Sequence, residues 1–379
     1  MLARSLTTSL AIFLATGSPT VTSPSARDGS ERVRSDQWHL SFLKVGEAHQ
    51  FSQGEGTVVA VPDTGVEAHP DLASNLLRGA DIILGGSGDG FRDANGHGTG
   101  MAGLIAAHGR GGRVGVLGIA PKSKILPIRD TPANGLGQPD DLAASIEYAT
   151  TRHADVISIS AASTLTPRMQ AAVSDALKAN IVVVAAVGNA PSESSVSYPA
   201  TEPGVIAVGG IDRRGNQASF SVSGADVDVV APAVDIYTTG LGGRYRRSNG
   251  TSDATAIVAG AAALIRSKFP DLPAEEVAHR LTATAVDKGP PGRDDQYGYG
   301  VIDLVAALTA DVPPLGFESS AVTPPASTAA TAAPDTGDDS ASAGGLATLG
   351  VLVAAGGGYL FWRRRRHRRA DDPPPRISR

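Results

Sequence analysis

Three short segments bring together an acid, an imidazole and a hydroxyl: Asp63-Thr64-Gly65, His97-Gly98-Thr99 and Gly250-Thr251-Ser252. A serine hydroxyl is a weak nucleophile at neutral pH and needs a base to take its proton. That base needs a carboxylate to fix its tautomer and to stabilise its charged form. The chain order acid, base, nucleophile differs from the base-first and nucleophile-first orders of other triad hydrolases. Each segment alone has a plainer reading. Asp-Thr-Gly is ordinary turn chemistry, a His among glycines can be a surface loop, and a Ser opening a helix is a common N-cap. Their joint occurrence at successive elements favours catalysis. Asn189 follows Gly188 at the end of an apolar run, where its carboxamide can donate to the oxyanion of a tetrahedral intermediate. Removing one such donor typically costs roughly 10²–10³ in rate.

These groups need a scaffold that brings them to one rim. Apolar, β-rich runs at residues 57–61, 124–128, 156–159, 181–186 and 205–208 read as buried parallel strands. Helical patterns at 140–153, 167–180, 252–269 and 273–284 alternate with them. This alternation predicts an α/β fold with a mostly parallel sheet covered on both faces. Strand ends are where such folds place ligands, and Asp63 closes the first run. Ser252 opens the longest apolar helix, whose N-terminus favours developing negative charge.

The chain has 379 residues, 41% of them hydrophobic and 19% charged, which suits a globular enzyme with a sizeable core. With a net charge of −5, nothing about the whole chain suggests a nucleic-acid binder, although the average hides a strongly basic last segment. There is no cysteine, hence no disulfide, thiolate metal site or cysteine nucleophile. No Gly-x-Ser-x-Gly elbow is present, which disfavours a lipase or esterase.

The two ends have their own character. Residues 1–26 resemble a secretory signal: Arg4 at the start, a short apolar run at 10–15, then small residues to Ala26. A short extension, 27–36, precedes a domain at 37–310. Residues 311–343 are rich in Pro, Ala, Thr, Ser and Asp and read as an extended tether. Residues 344–362 are uncharged and would span about 28 Å as a helix, against a bilayer core of about 30 Å. Arginines from Arg363 onward follow at once, which places the tail 363–379 in the cytoplasm and the domain outside.

The four chemical segments together resemble the subtilisin (S8) family of serine proteases. Asp63-Thr64-Gly65 with His69-Pro70-Asp71-Leu72 is similar to its acid segment, and His97-Gly98-Thr99 with Ala102-Gly103 to its histidine segment. Gly188-Asn189 resembles its oxyanion segment, and Gly250-Thr251-Ser252 with Val258-Ala259-Gly260 its serine segment. The resemblance implies a three-layer subtilisin-like fold, a peptide substrate, no cofactor and no catalytic metal. It assigns Asp63, His97 and Ser252 to catalysis and Asn189 to the oxyanion. Ser158, Ser160, Ala161 and Ala162 are implied to bind substrate as a paired strand. The whole layout, with Tyr297-Gly298-Tyr299-Gly300 among other segments, further resembles the mycosins, membrane-anchored proteases of actinobacterial type VII secretion. That implies selective processing of secreted substrates and contact with the secretion membrane complex.

Some residues depart from the pattern. Mycosins usually carry disulfides. Pro62 precedes the acid and cannot donate to a sheet ladder, so the strand must end there or tolerate a gap. Ala256 stands where proline is common, and Ala162 where glycine is usual. Asp253 follows the nucleophile, where a negative charge pointing into the cleft would oppose the oxyanion; it is expected to point away. These departures leave a catalytically silent scaffold as the alternative reading. Ala333-Pro334-Asp335-Thr336-Gly337 before the apolar run also resembles a sortase signal, which would place the enzyme on the cell wall.

Overall fold

The computed structural model describes residues 29–85 and 87–316. The readings at 1–26, 333–337, 344–362 and 363–379 lie outside those residues. Among the described residues no helix is long and apolar enough to cross a membrane.

Three short helices open the described residues, α1 (Ser30–Asp36), α2 (Trp38–Phe42) and α3 (Val45–Ala48). Then come β1 (Val58–Asp63), β2 (Ala80–Asp81), α4 (His97–Ala106), β3 (Lys124–Arg129), α5 (Pro139–Thr151) and β4 (Val156–Ile159). They are followed by α6 (Pro167–Lys178), β5 (Val182–Ala186), β6 (Ile206–Ile211) and β7 (Val229–Pro232). A hairpin of β8 (Ile236–Thr239) and β9 (Tyr245–Ser248) leads into α7 (Thr251–Lys268), α8 (Ala274–Ala283) and α9 (Leu304–Thr309). α1 lies in the stretch read as an extension, yet it packs on the domain. Val33 meets Ala107 and Val116, and the Arg34 Nε donates to the Gly115 carbonyl at 2.9 Å.

Seven strands form one parallel sheet in the order β2-β3-β1-β4-β5-β6-β7. Successive side chains of a strand point to opposite faces. Val59 and Val61 of β1 therefore enter one core layer and Ala60 the other. In β5, Val182 and Val184 join the first layer and Val183 and Ala185 the second. The first layer lies under α4 and α7, the second under α5 and α6. Strands buried on both faces read as continuous apolar runs, which is why their sequence signal is strong.

The strand order reverses direction between β1 and β4: the chain leaves β1 toward β3 and later continues from β4 toward β7. Loops part at such a point and open a crevice. The β1–β4 ladder stops early, with Val59 opposite Val156 and Ala60 opposite Ile157. Beyond Ala60 only β3 remains beside β1, where Pro62 pairs with Ile128. Pro62 is tolerated because no β4 partner is left for it to serve. The strand runs through it and ends on Asp63.

Candidate active site

Asp63 stands at the crevice as the last residue of β1, its side chain 4% exposed. Its Oδ1 accepts the Thr64 backbone N–H at 2.7 Å. Both carboxylate oxygens face Nδ1 of His97, at 2.9 and 2.8 Å. His97 is the first residue of α4, entered through Gly96 at φ 89°, a left-handed conformation that glycine adopts freely. Gly98 lets the helix start against β1, since a Cβ there would collide with the Gly65 carbonyl and lie 3.1 Å from the Asp63 Cβ. Burial alone would push the imidazole's pKa down. The charge and hydrogen bond of Asp63 outweigh it, with a further charge from Asp253, and hold His97 above its ordinary value.

One residue that the sequence reading passed over ties the acid and base segments together. Asp93 Oδ1 accepts the backbone N–H of Asn95 at 2.9 Å and of Gly96 at 2.8 Å, and the Thr64 hydroxyl at 2.9 Å. Its Oδ2 accepts the Thr99 N–H at 3.0 Å and the Thr99 hydroxyl at 2.6 Å. Thr64 in turn accepts the Gly98 N–H at 3.0 Å. The signal was local: an Asp four residues before the His, with Asn95-Gly96 directly before the imidazole, is a turn that caps a helix start.

Ser252 lies in the first turn of α7, the helix that packs against α4 and β4 to β7. The close fit of this helix rests on small residues. A Cβ at Gly260 would come within 2.7 Å of the Ile119 Cβ. The Ser252 hydroxyl donates to the Ser160 carbonyl at 3.1 Å rather than to His97. Asn189 stands beyond β5. Its Oδ1 accepts the Thr251 N–H at 3.0 Å, and its own N–H donates to Glu193 at 2.8 Å. Because a backbone N–H can only donate, the Thr251 contact identifies the side-chain oxygen and leaves the amide NH₂ as the free donor beside Ser252.

A cleft of about 450 Å³ opens here, lined by Asp63, His97, Asp130, Leu136, Leu142 and Glu193 among others. Ser160, Ala161 and Ala162 line it. Ser158 does not: it pairs with Val184 inside the sheet and is 1% exposed, so neighbouring strands shut it off. Among the described residues no group of three or more metal-ligating side chains occurs.

The sequence profile of the Subtilase family, peptidase S8, matches residues 54–300. The chain belongs to the subtilase family. Subtilisin BL of Lederbergia lenta is 38% identical over 277 residues, 73% of this chain and 99% of that protein. A crystal structure of MycP1 from Mycobacterium smegmatis aligns with TM-score 0.65 and 32% identity over 73% of this chain and 85% of that one. The MycP3 protease of the type VII (ESX-3) secretion system aligns with TM-score 0.63 and 32% identity, over 76% and 90%. The family and these relatives make this subtilase a serine endopeptidase with mycosin structural neighbours.

Two further buried acids accompany the site of this subtilase. Asp253, 1% exposed, is turned toward β9, where the Ser248 hydroxyl donates to its Oδ1 at 2.6 Å. Burial pushes its pKa up to about 6, against the Ser248 bond and the charges of His97 and Arg246. Asp130, on the cleft wall, is 2% exposed. Its Oδ1 accepts the Thr131 hydroxyl at 2.9 Å, and its Oδ2 has no hydrogen-bond partner. The Ser145 hydroxyl tempers its charge from outside hydrogen-bond geometry.

Burial pushes Asp130 up to about 7 from 3.8, and the Asp63 charge adds to it. An acid whose folded pKa is raised keeps its proton in the fold while the unfolded chain ionises. Stability is therefore intact below about 4 and declines as pH rises toward 7. Asp130→Asn cannot ionise. Relative to the parent it is expected to gain on the order of 2–4 kcal/mol between pH 4 and pH 8. Urea unfolding at both pH values measures this, and a difference independent of pH refutes it.

Proposed function

We propose that this chain is an extracytoplasmic serine endopeptidase in which Ser252, His97 and Asp63 form the catalytic triad. The observation that carries the reading is the 2.8 Å contact between His97 Nδ1 and the Asp63 carboxylate at the mouth of the cleft. It orients the imidazole so that Nε2 faces away from β1, toward an incoming proton. Ser252 attacks the scissile carbonyl as His97 takes its proton. The oxyanion that forms receives hydrogen bonds from the Asn189 amide and the Ser252 backbone N–H, at the positive end of α7. His97 then gives its proton to the departing amine, and water, activated the same way, releases the acyl group. Ser160 to Ala162 supply the edge along which the substrate backbone lies.

MycP1 and MycP3 as structural neighbours support a role in type VII secretion, acting on secreted polypeptides beside a membrane complex. The apolar run at 344–362 and the arginines after it support a single-pass anchor, with the cell wall as the alternative attachment through residues 333–337. One observation favours a second reading, a silent protease-like scaffold: the Ser252 hydroxyl bonds to Ser160 and not to His97. A fluorophosphonate decides between them. Stoichiometric labelling that maps to Ser252 in a digest is expected of the enzyme, and an unlabelled folded protein means the scaffold.

A further inference from the structure

The cleft carries one sign of charge. Among the described residues no lysine or arginine lines it, while Asp63, Asp130 and Glu193 do. Asp63 is turned to His97, and Asp130 is 2% exposed. Glu193 is the half-buried acid that a ligand in the cleft can reach. Its place is fixed by the turn that carries the Asn189 amide. The Glu193 N–H donates to the Asn189 carbonyl at 3.1 Å, and its Oε2 accepts the Asn189 N–H at 2.8 Å. The stem of the side chain rests on Gly188, where a Cβ would come within 3.1 Å of the Glu193 Cβ and Cγ. The turn is also tied from behind, the Ala190 N–H donating to the Phe220 carbonyl at 2.8 Å. Oε1 is left with no hydrogen bond or ion pair among the described residues. A carboxylate oxygen held in place without a partner is preorganised for a cation.

We infer that Glu193 selects a basic side chain, lysine above all, on the acyl side of the scissile bond. The inference rests on the triad and oxyanion reading and adds the substrate side chain to it. That reading puts the scissile oxygen at the Asn189 amide and the substrate backbone along Ser160 to Ala162. The acyl-side residue therefore starts its side chain between the two. One wall of that space is Ala161 to Ser163, and the other is Glu193. The walls are joined where the Ser163 N–H donates to the Tyr198 carbonyl at 2.9 Å. Ala161 and Ala162 bring neither charge nor bulk, so a long side chain passes them and meets the carboxylate. A lysine ammonium is a point charge that one free oxygen can accept. An arginine fork matches both oxygens of a carboxylate, and Oε2 is already engaged. A hydrogen bond between charged partners is stronger than a neutral one, so the contact is read as selectivity. A glutamate side chain at the same position meets like charge and is rejected.

The test is the rate at which peptidyl diphenyl phosphonates label Ser252 in the full-length protein. Such probes carry the acyl-side side chain next to the phosphorus. Lysine is compared with norleucine, which has the same stem without the charge, and with glutamate. The lysine probe is expected to react roughly 10–100-fold faster than the norleucine probe, and the glutamate probe more slowly than either. Glu193→Gln keeps an oxygen for the Asn189 N–H and removes the charge. The lysine advantage is then expected to fall below about threefold. Glu193→Asp draws the carboxylate back by one methylene. It is expected to reduce the advantage, and it carries the test should Glu193→Gln fail to fold. Equal labelling by lysine and norleucine in the parent overturns the inference, and so does an undiminished advantage in a folded variant. A plain fluorophosphonate, which has no such side chain, keeps the two failures apart. If it labels Ser252 while the lysine advantage is absent, the serine reading stands and the selectivity falls. If it labels nothing in the folded protein, both fall.

Discussion

Alanine in place of Ser252 abolishes peptide hydrolysis: kcat/KM is expected to fall by roughly 10⁴–10⁶, to the level left by binding and the oxyanion donors alone. The fold should not notice. The Ser252 hydroxyl makes one hydrogen bond, to the Ser160 carbonyl, and the cap position of α7 is held by Gly250, not by Ser252. Thermal unfolding is therefore expected within a degree or two of the parent. Hydrolysis that persists in a folded Ser252→Ala protein, followed on a fluorogenic peptide, removes this serine from the mechanism.

Asp63→Asn carries the second large effect, a drop in kcat of about 10⁴. The side chain keeps its shape and can still accept the Thr64 N–H through its carbonyl oxygen. What changes is the partner of His97. An amide NH₂ facing Nδ1 favours the tautomer with its proton on Nε2, the atom that must accept from Ser252. The same substitution removes the main force holding the His97 pKa up, so the imidazole is expected to titrate at lower pH than in the parent. Steady-state kinetics with NMR of the ring measure both effects. An unchanged kcat, or an unmoved titration, contradicts the role given to Asp63.

Much of this arrangement was legible before any coordinates. Runs such as 182–186 and 206–208 are apolar on both parities, and only strands between two helical layers can be so. The four long helices came within three residues of their observed ends, because Pro139 and Pro167 mark N-termini and α7 carries a sustained apolar pattern. Among the parts that escaped, three have clear physical reasons. The β8–β9 hairpin carries Arg246 and Arg247 on a half-exposed strand with no clean alternation, so periodicity is silent there. β7 ends on Pro232, and Asp226 and Asp228 interrupt the apolar residues before it, so no run stands out there. Asp93 looked like any turn residue, and only the fold reveals that its two oxygens fasten the loops of acid and base. Asp253 was expected to point away from the cleft, and its side chain is turned to β9, where Ser248 holds it.

The wide separation of the three reacting groups along the chain has a consequence for biosynthesis. The carboxylate arrives with β1 and the imidazole with α4, but the alcohol comes only with α7, after every strand of the main sheet has been made. α7 is also the helix on which β4 to β7 rest, so a shorter product lacks its interior as well as its nucleophile. A nascent polypeptide, or a fragment ending before residue 252, therefore holds an acid and a base with nothing to acylate. On the triad proposed above, a nascent chain cannot cleave itself before residue 252 has been made.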